Sequence, residues 1–262
     1  MKKIGLIGGL TPESTAHYYL AICREHNAKA GGLNFPEISL ESVNLQQLIG
    51  LFGANEWEKV AEHLLRVLHR LKASGADFAA ILANTPHNAY DRIRDASPLK
   101  ILTIMEATSA PLLRDGRRKV ALLGTKATME YGFFQKHFES LGISSLIPTD
   151  DQRQALDRMV WDELAHGVIE EKSRTAAKQM IAELERQGAE AVILACTELS
   201  MLIKPEDTPS SALRHHDSAR GSHPSLRAAN RLKVCQYPSP GVTRTESSAT
   251  QWRTFAGEQR AI

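Results

Sequence analysis

Two stretches of this chain resemble one another in pattern, and that restricts the fold more than any other feature. Leu71-Lys-Ala-Ser-Gly-Ala-Asp-Phe-Ala-Ala-Ile-Leu-Ala-Asn-Thr85 matches Leu184-Glu-Arg-Gln-Gly-Ala-Glu-Ala-Val-Ile-Leu-Ala-Cys-Thr-Glu198 at an ungapped offset of 113 residues. Each copy reads as a helix end, a Gly able to take the left-handed C-terminal cap, a turn and an apolar strand. A second pair, Lys3-Ile-Gly-Leu-Ile-Gly8 and Lys119-Val-Ala-Leu-Leu-Gly124, lies at an offset of 116 residues. The economical reading is an α/β chain of two pseudo-symmetric halves, each with a parallel sheet. A cleft is then expected between the strand ends near Gly8, Asn84, Gly124 and Cys196.

The second copy carries the reactive group. Its apolar run, Ala191 to Ala195, stops abruptly at Cys196-Thr197-Glu198. Such a run reads as a strand buried on both faces, and the polar triplet then occupies its carboxyl end, where ligands bind in open α/β sheets. Cys196 is thereby placed where a thiolate can act; a buried structural cysteine fits the same stretch. At the repeat offset its counterpart is Ala83.

In chain order, Lys3 to Gly8 reads as the first strand. The turn Gly8-Gly9-Leu10-Thr11-Pro12-Glu13 leads into a helix, with Thr11 able to cap and Pro12 suited to the first helical position. Free backbone N–H groups there, Gly9's included, suit a carboxylate or phosphate. The pattern is not GxGxxG, which argues against a nucleotide. Glu37 to Val43 reads as a strand, Trp57 to Ser74 as an amphipathic helix and Phe78 to Ala83 as the next buried strand. Asn84-Thr85-Pro86-His87 follows; Asn84 and Thr85 can donate to a carboxylate. His87 has no other His or Cys at ligand spacing, so a capping or orienting role is favoured over metal binding. Lys100 to Ile104 is a short strand, with a helix to Arg114. The charged stretch Arg114 to Lys119 reads as the linker, giving halves at residues 1–114 and 115–209. Thr125 and Thr128 open a helix after Gly124, as simple caps or as a hydroxyl pair facing the cleft. Asp151 to His166 and Glu171 to Gln187 read as helices.

Composition excludes several classes. A formal charge of +2, 42% hydrophobic and 24% charged residues describe a globular chain with no argument for nucleic acid. Cys23, Cys196 and Cys235 suit a reducing compartment better than a disulfide framework, so a cytoplasmic location is expected. The first apolar run flows into a glycine turn and reads as a strand, not a signal peptide. No stretch reaches the roughly 18 apolar residues of a membrane helix. Residues 210–262 are different: 7 of these 53 are Leu, Ile, Val or Phe, and 8 Lys/Arg against 3 Asp/Glu leave a net +5. They are read as an unstructured extension.

Gly8-Gly9 through Pro12-Glu13-Ser14-Thr15, Asn84-Thr85-Pro86-His87, Gly124-Thr125 with Thr128, Glu163-Leu164 with Gly167, and Ala195-Cys196-Thr197-Glu198 together resemble the aspartate/glutamate racemase family, in its amino-acid racemase branch. The matches span roughly residues 1 to 209 in the family's order. The resemblance implies two flavodoxin-like halves with the active site in the cleft between them. It implies an isomerase acting on an amino acid or related carboxylate, with neither pyridoxal phosphate nor metal, and it is compatible with a homodimer.

The family uses two cysteines, one per half, to remove a Cα proton from one face and deliver another to the opposite face. Cys196 matches the second. The first immediately precedes the Asn-Thr pair, and here that residue is Ala83, the vacant partner position. The resemblance gives Gly9, Asn84, Thr85, Thr125, Thr128 and Thr197 to substrate binding, with Glu198 accepting from the ammonium group. The family's closing strand and Asp-Thr-Thr stretch are absent after Pro209. Two rival readings remain: a one-cysteine decarboxylase of the same superfamily, and a non-catalytic protein that binds a small acid.

Overall fold

A computed structural model describes residues 2–204, Asp207 and the backbone of 233–235. The described chain divides into two compact units between Ala107 and Thr108. The remaining residues of the stretch read above as an unstructured extension lie outside the described part.

The first unit holds β1 (Ile4–Gly8), α1 (Pro12–Ala30), β2 (Ile38–Ser42), α2 (Leu45–Gly53), α3 (Trp57–Ala73), β3 (Phe78–Ile81), α4 (Tyr90–Ile93), β4 (Lys100–Leu102) and the start of α5 (Ile104–Arg114). Its strands run parallel in the order β2-β1-β3-β4. The second unit holds β5 (Lys119–Gly124), α6 (Lys126–Glu130), α7 (Phe133–Ser140), β6 (Ser144–Leu146), α8 (Asp150–Arg158), α9 (Glu171–Arg186), β7 (Ala191–Ala195), α10 (Leu199–Leu202) and β8 (Lys233–Cys235). Its parallel order is β6-β5-β7-β8, the same topology.

The repeat extends to the backbone register. In the first sheet Ile4 pairs with Phe78. The sequence offsets of 116 and 113 carry this pair onto Val120 and Ala191, which are partners in the second sheet. The helix ends repeat as well. Gly75 and Gly188 take φ of 86° and 98°. The N–H after each donates back to the last helical turn, Ala76 to the Leu71 carbonyl at 3.1 Å and Ala189 to the Leu184 carbonyl at 3.0 Å. That is the left-handed cap expected where a glycine ends a helix.

Burial explains which residues became central strands. Every residue of β7 is buried, as in a parallel sheet covered on both faces. Helix α3 turns Val60, Ala61, Leu64, Val67, Leu68 and Leu71 inward, a stripe with helical spacing.

Three features depart from the sequence reading. The helix expected from Asp151 to His166 stops at Arg158. It continues as a wider π turn over Met159–Glu163 and a 3₁₀ turn over Leu164–His166. Met159, Val160 and Leu164 all stay buried through this change of pitch. Helices α2 and α7 and strand β6 occupy stretches for which the pattern set no element. Within the stretch read as unstructured, Lys233–Cys235 forms β8, pairing Ala191 with Lys233. The edge of β7 not used by β5 offers unpaired N–H and C=O groups, and three residues suffice to meet them. No helix of the described residues is long and apolar enough to cross a membrane.

Gly9 fixes the first turn. Its φ is +77°, and a Cβ there would overlap the Val43 backbone, the carbonyl oxygen nearest. Gly9→Ala is expected to destabilise the protein by about 1–3 kcal/mol or more, since strain and backbone overlap act together. Urea denaturation measures this, and a variant as stable as the parent would contradict the turn.

Candidate active site

The turns that leave β1 and β5 are built alike. In the first, Ser14 N–H donates to Thr11 Oγ1 at 3.3 Å and the Thr11 hydroxyl donates to Ser14 Oγ at 2.9 Å. In the second, Thr128 N–H donates to Thr125 Oγ1 at 3.3 Å, and the two hydroxyl oxygens lie 3.0 Å apart. Thr11 and Thr125 are therefore N-caps, satisfying donors that the first helical turn leaves open. Thr128 is buried and Thr125 is half-buried. Gly9 N–H donates to Thr15 Oγ1 at 2.9 Å, so this N–H is not among the groups the turn leaves open for an anion.

Within each unit, neighbouring strands deliver these turns side by side. Leu82 N–H donates to the Ile7 carbonyl at 3.0 Å, which sets Ala83 and Asn84 beside the Gly9 turn. Gly124 pairs with Ala195, and a Cβ on Gly124 would lie 3.0 Å from the Ala195 carbonyl oxygen. The Thr125 cap and Cys196 thus leave adjacent strands at one level. Ala83, Asn84 and Thr85 are half-buried.

His87 closes the β3 turn. It is 1% exposed. Its Nε2 accepts the Ile104 backbone N–H at 3.1 Å, so Nδ1 carries the hydrogen and donates to the Ala83 carbonyl at 2.8 Å. The ring ties the exit of β3 to the start of α5. Desolvation is the largest influence on it and lowers its pKa to about 4, against opposing contributions from its backbone hydrogen bonds. The orienting role expected for His87 is the one its geometry provides. Its link to Ile104 could not be read from local sequence. The sequence reading also passes over Glu106, whose Oε2 accepts from Thr103 N–H at 3.1 Å and from the Thr103 hydroxyl at 2.9 Å. A Thr-x-x-Glu spacing is the signal that could have found it.

Cys196 follows β7 and is 7% exposed. Its Sγ donates to Glu198 Oε2 at 2.9 Å, and the Thr197 hydroxyl donates to the same oxygen at 2.7 Å. The structure thus gathers Cys196, Thr197 and Glu198 into one hydrogen-bonded cluster. Burial, and next the Glu198 carboxylate, push the thiol pKa well above its ordinary value. The expectation that Glu198 accepts from a substrate ammonium group meets a carboxylate oxygen already engaged by two donors. Among the described residues, no group of three or more His, Cys, Asp or Glu side chains could hold a metal.

The Asp/Glu/Hydantoin racemase family model matches residues 7–220. The broad specificity amino-acid racemase RacX of Bacillus subtilis (strain 168) is 23% identical over 210 residues, covering 76% of this chain and 87% of the relative. A structure from Yersinia pestis, described as that of a candidate Asp/Glu racemase, is 37% identical with a TM-score of 0.76, covering 79% of this chain and 91% of the other. An aspartate racemase homologue from Pyrococcus horikoshii OT3 is 36% identical with a TM-score of 0.68 at the same coverages.

The buried ring makes a prediction about pH. In the unfolded chain His87 protonates at about 6.5, but in the folded protein only at about 4. Between these values the unfolded state binds the extra proton. The stabilisation is therefore complete above pH 6.5 and is lost as pH falls toward 4, by about 3 kcal/mol in all. His87→Gln is expected to flatten stability against pH across this window relative to the parent. Chemical denaturation at successive pH values checks it, and parallel curves for the two proteins would contradict the assignment.

Proposed function

Because the chain belongs to the Asp/Glu/hydantoin racemase family, we propose that it moves a proton at the α-carbon of an amino acid or related carboxylate, with Cys196 as acid/base. The observation that carries this is a thiol at the carboxyl end of a fully buried strand, hydrogen-bonded to a carboxylate two residues on. An apolar strand fixes the backbone of Cys196, and the Glu198 contact gives its proton a defined direction. In this reading Asn84, Thr85, Thr125 and Thr197 hold the substrate's carboxylate and amine. The thiol supplies the acid/base step, so neither pyridoxal phosphate nor metal is invoked. The relative from B. subtilis is described as a broad specificity amino-acid racemase, which supports an amino acid as the substrate class.

Inversion requires a second acid/base on the opposite face of the substrate. The family position for it is Ala83, which has no ionisable group. His87, four residues on, does not replace it, because both ring nitrogens are engaged and the ring stays neutral down to about pH 4. Proton transfer on one face is therefore expected to outrun inversion. A second reading is the one-thiol decarboxylase, in which loss of CO2 generates the carbanion and the thiol only protonates it. What favours this reading is that Cys196 rests as a thiol directed at Glu198.

Cys196→Ala is expected to abolish Cα–H exchange on any substrate found, and exchange retained in that variant would sink the assignment. Ala83→Cys tests the other side. A positioned acid/base contributes about 10²–10⁴-fold in rate, so the variant should raise racemisation more than it raises single-enantiomer exchange. Deuterium uptake by NMR together with optical rotation reads both; equal gains in the two would refute the role given to position 83.

A further inference from the structure

Glu198 has a role that the racemase reading does not supply. One of its carboxylate oxygens, Oε2, is the acceptor for two donors, the Cys196 thiol at 2.9 Å and the Thr197 hydroxyl at 2.7 Å. An ionised carboxylate suits this arrangement, since it only accepts. The thiol itself is almost wholly out of water. Apolar side chains from α10 and the 3₁₀ turn, Leu199, Leu202 and Leu164, belong to the same buried cluster. A thiolate in that place would stand against the Glu198 carboxylate with its apolar neighbours unable to solvate it.

We propose that Glu198 is a positioning residue that holds Cys196 in its protonated form, so that Cys196 enters the reaction as an acid. This rests on the reading of Cys196 as the acid/base. Among the described residues, the charged group hydrogen-bonded to the sulfur is Glu198; Glu163 precedes Leu164 in the chain, and His166, two residues after Leu164, is exposed. The backbone N–H groups of Glu198 and Leu199 act in the opposite sense, favouring the thiolate, but the burial and the carboxylate outweigh them. The Thr197 hydroxyl donates to the same carboxylate oxygen and leaves its charge in place. A carboxylate here does not activate the cysteine as a nucleophile; it delays thiolate formation and makes the sulfur a proton donor at neutral pH. Where loss of CO2 breaks the bond to the α-carbon and leaves the carbanion, the proton passes from Sγ to that carbon, and the thiolate left behind regains a proton from solvent.

The test needs no substrate. Alkylation of Cys196 by iodoacetamide, read by mass spectrometry on the peptide that contains it, follows the thiolate fraction as pH rises. In the parent protein the rising limb is expected above the ordinary thiol range of about 8.5. Glu198→Gln keeps the shape and removes the charge. Its limb should move down by at least about one pH unit, so that alkylation at pH 7.5 rises about tenfold or more. An unchanged or slower rate in a folded Glu198→Gln protein would overturn the proposal. Thr197→Val provides a second route if Glu198→Gln does not fold. It removes only the competing donor, so its limb should stay or move up, and a downward move would overturn the proposal. Because alkylation is read without turnover, failure here leaves the part played by Cys196 in Cα–H exchange standing. Exchange retained in Cys196→Ala removes that part without touching the coupling to Glu198.

Discussion

The pairing of β5 with β7 is the interaction on which the position of Cys196 in the second unit depends. Gly124 faces Ala195 across a parallel ladder, and a Cβ there would lie 3.0 Å from the Ala195 carbonyl oxygen, so a larger residue requires the backbone to give by a few tenths of an ångström. That register brings the Thr125 cap and Cys196 out of the sheet at one level. The strand supplies rigidity, since Ala191 to Ala195 are buried on both faces. A thiol at the end of such a strand has little freedom to seek water, and its behaviour is set by what the next two residues present. Glu198 presents a carboxylate oxygen that accepts from both the Cys196 thiol and the Thr197 hydroxyl.

The same architecture in the first unit ends differently. The β1 and β3 turns carry a cap, a glycine in the left-handed region and a polar Asn-Thr pair, but the residue matching Cys196 is alanine. The titratable group nearest in sequence, His87, is given over to structure: one ring nitrogen faces the Ala83 carbonyl and the other receives the Ile104 N–H. A histidine in that position could be mistaken for a deputy acid/base. Its burial and its filled hydrogen bonds make it a brace for the loop that would present Asn84 and Thr85.

Much of this was legible in the residues. The offsets of 113 and 116 point to two related sheets, and they carry the observed pairing of Ile4 with Phe78 onto that of Val120 with Ala191, because a repeat preserves the register that buries one face. The bounds of β7 were legible since an apolar run ends at a polar triplet. What failed was non-local or weakly patterned. The π turn at Met159–Glu163 is decided by packing against neighbours, which periodicity within Asp151 to His166 does not contain. Helix α2 carries two glycines and α7 is short, so neither announces itself. β8 lies in a stretch poor in apolar residues and owes its place to the open edge of β7. That Glu198 follows Cys196 by two residues is visible in the sequence, while its contact with Sγ arises only in the fold.

The proposed chemistry rests on a single thiol, that of Cys196, serving one face of the substrate. Its most direct test incubates the parent protein in D2O with each pure enantiomer of glutamate, aspartate and a neutral amino acid, following deuterium at Cα alongside chiral purity. One-sided proton transfer predicts that deuterium enters one enantiomer faster than its configuration is lost. If both enantiomers lose chiral purity as fast as deuterium enters, two acid/base groups are at work and the account is contradicted.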